Sequence, residues 1–389
     1  MSKDNVKKLI GDVFNEIADA IQSGSFASRV KIGLTILGSE HGVDELIKAA
    51  EMATRKYKDF EVVLIGPKVE TSLTIHEISS ESEAHKKMEE LLDSKQIHGC
   101  VTMHYNFPIG VSTVGKVITP AKGEEMILAT TTGTSSTNRV EGMVKNAIYG
   151  IIAAKASGIQ SPTVGILNVD GARQVERALN ELKDNGYKFS FTESMRADGG
   201  AVMRGNDLLT GTPDVMVTDS LTGNILMKMF SSSTTGGSYE STGYGYGPGI
   251  GEGYGRLINI ISRASGAPVI CEALRYCASC AQNDIIQISK DEFTAVNKAG
   301  FKAVCTKITD SDKKSASASE EVVVAPPKKV VTGQIPGVDI LDLEDSVKEL
   351  WKVGIYAESG MGCTGPIVLV AEDEEAKARE VLKEKEYIG

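Results

Sequence analysis

From residue 30 onward, short apolar runs alternate with stretches whose apolar positions recur every three or four residues. VKIGLTIL (30–37), FEVVLIG (60–66), IHGCVTM (97–103), MILATTT (126–132), TVGILNV (163–169) and DVMVTD (214–219) have the length and β-branched content of buried strands. The intervening spacing predicts helices from Val43 and over 139–157, 171–185 and 221–230. Strand and helix in alternation predict an α/β fold, a mostly parallel sheet with helices on both faces. Ahead of it, Val6, Leu9, Ile10, Val13, Phe14, Ile17 and Ile21 form one stripe of an amphipathic helix, expected to pack on the main domain or on a partner.

Two stretches break this pattern. Residues 231–256, SSSTTGGSYESTGYGYGPGIGEGYGR, are too rich in Gly, Ser and Thr for a regular helix through their middle and read as a large functional loop. Residues 310–329, DSDKKSASASEEVVVAPPKK, read as a solvated linker. Beyond it the pattern is helix (342–352), strand (353–357), glycine loop (360–366), strand (367–371) and helix (373–386), a small α/β unit. The expected organisation is therefore an N-terminal helix (1–27), an α/β body (28–309), a linker (310–329) and a small domain (330–389), with no internal repeat.

Charge and composition narrow the function. Of 389 residues, 52 are acidic and 42 basic, a net charge of -10 that disfavours nucleic acid and anionic membrane surfaces. No apolar run approaches the roughly 18 residues of a membrane span, and the N-terminus does not read as a signal peptide, so the expectation is a cytoplasmic protein. Six cysteines are too sparse for a secreted disulfide framework. All five histidines lie at or before His104, so a nucleophile in the last two thirds has no local histidine base.

The candidate chemistry centres on Cys363, within Glu358-Ser-Gly-Met-Gly-Cys-Thr-Gly-Pro366. Gly360, Gly362 and Gly365 with Thr364 would let backbone amides approach the sulfur and a developing oxyanion. The alternative is a tight hairpin whose cysteine fills space. The nearest cations in sequence are Lys352 and Lys377, so activation would come from amide dipoles or from another domain. A 20-residue linker spans roughly 25 Å, enough to carry Cys363 to a second site. That site is expected where strands end: Thr132, Gly133, Thr134, Ser135 and Asn138 after one strand, Asp219, Ser220, Thr222, Gly223 and Asn224 after another, and Arg256 at the end of the glycine-rich loop, whose GEGYGRLINII reads as leading into a helix. His104, at a strand end, could reach the same crevice. Cys271, Cys277 and Cys280 read as packing cysteines on a helix, and no metal or tightly bound cofactor is expected.

TVGILNVDG (163–171) and PDVMVTDSLTGNILMKMF (213–230) resemble the phosphate acyltransferases and, more loosely, the phosphotransacetylases, over roughly residues 28–270. The GMGCTGP unit lies outside that resemblance. The combination is similar to the component C alpha-subunit family of glycine, sarcosine and betaine reductase complexes. The resemblance implies an acetyl group taken from carboxymethylated selenoprotein A, held as a thioester on Cys363 and released to inorganic phosphate as acetyl phosphate. It also implies a component C beta subunit as partner in a hetero-oligomer. The sequence departs from the acyltransferases at Gly38-Ser-Glu-His-Gly42, where they carry Gly-Gly-Asp, and lacks their later His-Gly motif. A free-standing phosphate acyltransferase and a non-catalytic scaffold are the alternatives.

Overall fold

A computed structural model describes residues 29–196, 199–317, 323–339, 342–362 and 365–388, together with positions 11, 14, 15, 17 and 18. The body opens with β1 (Val30–Thr35), α1 (Val43–Lys56), β2 (Phe60–Gly66), β3 (Thr74–Glu77), α2 (Glu81–Asp93) and β4 (Gly99–Thr102). These strands are parallel in the order β3-β2-β1-β4. Next, β5 (Ser112–Ile118) and β6 (Glu125–Gly133) form an antiparallel pair. Then follow α3 (Arg139–Ala156), β7 (Thr163–Leu167), α4 (Ala172–Asp184), β8 (Ser190–Phe191), β9 (Val202–Met203), α5 (Gly205–Thr210), β10 (Val215–Val217) and α6 (Ser220–Ser232), with β10 parallel between β6 and β7. The segments β11 (Gly247–Ile250) and β12 (Ile258–Ile260) precede three helices, α7 (Ala267–Gln282), α8 (Ile285–Lys298) and α9 (Phe301–Ser317).

The expected α/β sheet is present, but it is mixed and built in two halves. Its order is β3-β2-β1-β4-β12-β11-β5-β6-β10-β7-β8, with β9 beside β7. The halves meet where β12, parallel to β4, pairs antiparallel with β11 through Gly247 to Ile260 and Pro248 to Asn259, and β11 pairs antiparallel with β5. Helix α3 is buried almost all round, as its mainly apolar sequence requires. Gly150 lets it lie close on the second half: a Cβ there would sit 2.3 Å from Val215 Cγ1 and 2.9 Å from the Ala129 methyl.

Three expectations need correction. The apolar run Leu257–Ile261, read as entering a helix, contains β12, because a short continuous apolar run carries no period that separates strand from helix. The first part of the expected linker, 310–317, continues α9 to Ser317, and the remainder to 322 lies outside the described residues. Of the N-terminal stripe, Phe14 and Ile17 are described and both are exposed, so at these positions it does not pack on the body.

The C-terminal unit comprises β13 (Gly333–Pro336), α10 (Leu343–Lys352), β14 (Ala357–Gly362), β15 (Gly365–Val370) and α11 (Glu375–Glu384), with an antiparallel sheet in the order β13-β15-β14 and its own core of Ile335, Val347, Leu350, Val368, Val370 and Leu382. The strand expected over 353–357 begins instead at Ala357, and the expected glycine loop is largely ladder: Gly360 pairs with Ile367 and Gly362 with Gly365. Cys363 and Thr364 lie outside the described residues. The unit touches the body at α4, where Arg177 reaches Asp342 at 3.2 Å and the Glu386 carbonyl at 3.1 Å, and Gln174 donates to Asp342 at 3.3 Å.

Candidate functional site

Between the two halves of the sheet lies a cleft of about 600 Å³. The chain leaving β4 supplies Met103 to Ile109, the end of β6 supplies Thr132 and Gly133 with Thr134 after them, and the end of β12 supplies Ile260 to Arg263. Helix α6 contributes Asn224 and Lys228, and Glu40 and Tyr246 complete the wall. Strand ends gather here because parallel strands deliver their carboxyl-end loops to a common edge.

The residues expected to bind phosphate divide between ligand-accessible and structural positions. Thr132, Gly133, Thr134 and Asn224 line the cleft, as does His104. Several others support the wall from behind. Asn138 caps α3 by accepting from the Glu141 amide at 3.0 Å, and Asp219 caps α6 by accepting from the Thr222 amide at 3.0 Å and its hydroxyl at 2.7 Å. Ser135 is buried; its hydroxyl donates to the Asn146 side-chain oxygen and lies 2.7 Å from the Ser112 hydroxyl, from which it can accept. The Ser220 and Thr130 hydroxyls are 3.0 Å apart. Gly223 permits the closest approach in this region, since a Cβ there would sit 1.8 Å from the Thr130 carbonyl oxygen. Arg256 does not join the group: its guanidinium is held by Asp93 at 2.9 Å, Glu89 at 3.2 Å and the Tyr105 hydroxyl at 3.4 Å.

The cations that do reach the cleft are Lys228 and Arg263. Arg263 is 3.7 Å from Glu81, and Lys228 is 3.9 Å from Glu240. Lys228 follows Asn224 by four residues in a predicted helix and therefore shares its face, a spacing signal available in the sequence. Arg263 had no such signal, because its neighbours in space are remote in the chain. Burial, then the nearby His104, holds His85 below the usual imidazole range. Burial pushes up the thiols of Cys100, Cys277 and Cys280, and Cys271 and Cys305 are raised to about 11. Among the described residues, no cluster of three His, Cys, Asp or Glu side chains could hold a metal ion. No described helix is long and apolar enough to cross a membrane.

The cleft thus gathers hydroxyls, main-chain turns and two cations at strand ends, groups that can donate to an anion. Residues 30–369 match the family model described as "Fatty acid synthesis protein", and the chain belongs to that family. It is 64% identical, over 98% of both chains, to the glycine/sarcosine/betaine reductase complex component C subunit alpha of Peptoclostridium acidaminophilum. It is 26% identical to a phosphate acyltransferase of Staphylococcus epidermidis, over 51% of this chain and 70% of that one. A solved branched-chain phosphotransacylase from Enterococcus faecalis V583 is 15% identical, with a TM-score of 0.46, over 64% of this chain and 99% of that one.

Proposed function

We propose that this chain is the acyl-transfer subunit of a glycine reductase-type complex, releasing acetyl phosphate from an acetyl thioester. Inorganic phosphate occupies the cleft, near Thr132 to Thr134, Asn224, Lys228 and Arg263. A phosphate oxygen attacks the thioester carbonyl, the C–S bond breaks, the thiolate of Cys363 leaves, and acetyl phosphate departs. The acetyl group derives from carboxymethylated selenoprotein A: a thiol of that partner takes the selenium as a selenenyl sulfide and so supplies the two electrons, the freed methylene becomes methyl, and the carboxyl condenses with the Cys363 thiol with loss of water. A component C beta subunit completes the assembly. No tightly bound cofactor takes part. The observation that carries this reading is the cleft itself: two cations and a threonine- and glycine-rich turn meet at strand ends, where a dianionic acceptor is stabilised by donors that are already in place. The chain's near full-length likeness to a component C subunit supports the choice of complex.

The decisive measurement is the intact mass of the protein after exposure to an acetyl donor, with peptide mapping of any acetyl adduct. An adduct on Cys363 that disappears on adding phosphate, and that Cys363→Ser abolishes, is the expected result. Undiminished acetyl phosphate release by Cys363→Ser overturns the thioester assignment. Release that survives removal of residues 330–389 points instead to a free-standing phosphate acyltransferase.

A further inference from the structure

Behind the α6 wall of the cleft sits a carboxylate that the reaction as described does not use. Glu240 lies in the glycine-rich stretch between α6 and β11 and is only 3% exposed. Its Oε1 accepts the Tyr246 hydroxyl at 2.9 Å, and its Oε2 accepts the Ser265 hydroxyl at 2.7 Å. The same Oε1 is 3.9 Å from Lys228 Nζ, whose side chain is 55% exposed while that of Glu240 is 4% exposed. The Lys228 ammonium also lies 5.5 Å from the centroid of the Tyr246 ring. Main-chain bonds fix the carboxylate's own position, with Glu240 donating to the Ala264 carbonyl and accepting from the Gly266 amide at 2.9 Å. Those bonds hold it against the 262–266 turn, the same turn that presents Arg263 to the cleft.

A buried carboxylate is costly unless it is hydrogen-bonded and paired. Two hydroxyls satisfy it here, and Lys228 supplies the opposite charge at a distance that leaves ammonium protons for another acceptor. A free lysine gives up considerable rotamer freedom on binding an anion, whereas one leaning on a fixed carboxylate and an aromatic face has already lost much of it. We infer that Glu240 is a positioning residue that holds Lys228 at the cleft, and that Lys228, together with Arg263, forms the cationic clamp for an oxyanion of the phosphate class. This rests on the reading of the cleft as the acceptor site, but not on the thioester chemistry.

The test titrates the full chain with inorganic phosphate by calorimetry, with no acetyl donor present. Glu240→Gln is nearly isosteric, and its amide can accept one hydroxyl through the carbonyl oxygen and donate to the oxygen of the other through its NH2 group. It is expected to weaken phosphate binding about tenfold, as Lys228→Ala does, the scale of a charge-assisted contact. In turnover the loss should appear in KM for phosphate with kcat little changed, and Lys228→Arg should restore most of it. A purely structural Glu240 would instead lower thermal stability and leave phosphate affinity intact. Wild-type affinity in folded Glu240→Gln or Lys228→Ala, or no phosphate binding by the wild-type chain, overturns the inference. Phosphate binding that depends on both residues, in a protein that never forms an acetyl adduct, supports the clamp while refuting the thioester reading.

Discussion

Asn224 on α6 donates its side-chain amide to the main-chain oxygen of Thr131 on β6 at 3.0 Å. One residue earlier, Gly223 lies so close to the Thr130 carbonyl that no side chain fits. The two strand-end turns singled out in the sequence are thus one stitched structure, and its spacing is set by main-chain atoms.

Replacing Gly223 by Ala should therefore be severe. The added Cβ would sit 1.8 Å from the Thr130 oxygen, and backbone cannot rotate aside as a side chain can. Overpacking commonly costs about 1–3 kcal/mol, and a closest clash with backbone rather than a side-chain end puts this site at the upper end or beyond. A thermal or urea melt of Gly223→Ala that overlays the wild type would show that α6 shifts freely from β6.

The cap at Asp219 makes a pH prediction. Burial tends to raise its pKa, but the Thr222 hydroxyl and amide and the Arg139 guanidinium outweigh this and hold it below the usual carboxylate range. A carboxylate depressed in the folded state stabilises above its unfolded pKa of roughly 3.9, and that contribution is lost as pH falls through the folded value. Asp219→Ala should cost about 1 kcal/mol near neutral pH, the scale of an N-cap. Asp219→Asn, which can still cap, should differ most from wild type near neutrality and converge with it in acid. A gap in urea midpoint that stays constant from pH 7 to pH 3 would contradict the charge argument.

Thiol chemistry can be checked against burial. Cys100, Cys277 and Cys280 are fully buried with raised pKa values, and Cys271 and Cys305 are raised to about 11. Since the thiolate is the reactive form, iodoacetamide at pH 8 should spare all five in the native chain and reach them only after denaturation. Rapid native alkylation of any of the five, seen by peptide mapping, would show a body that opens far more readily than its packing implies.

Among the described residues, Arg177 and Gln174 make polar contacts that dock the C-terminal unit. Arg177 meets Asp342 and the Glu386 carbonyl through a partly exposed side chain, the class of ion pair worth less than about 1 kcal/mol. Arg177→Glu should therefore leave the melting temperature of the body nearly unchanged while raising hydrogen exchange in α10. Unchanged exchange would mean that other contacts hold the unit in place.

Much of the fold was legible in the sequence. The buried strands and the helices after them have lengths and periods that few other structures satisfy, and the hydroxyl- and glycine-rich turns at 130–138 and 219–224 announced the cleft. Other parts were not. Pairing partners such as β5 with β11 depend on contacts between residues more than a hundred positions apart. Arg256 looked available as a cation because its carboxylates, Asp93 and Glu89, sit on a distant helix. Asp219 and Asn138 looked like ligands because they stand at strand-to-helix turns, where polar side chains can either face a ligand or cap the helix, and sequence alone does not separate the two uses.

The joint between the halves of the sheet has a mechanical consequence. Its β11–β12 seam is two residue pairs wide, and one of the four residues, Pro248, has no N–H to give. The ladders that flank it are short as well, two pairs between β11 and β5 and three between β12 and β4, whereas β5–β6 has seven pairs and β1–β2 has six. The two halves are therefore coupled through a narrow waist of main-chain hydrogen bonds, while each is braced internally by its own long ladders.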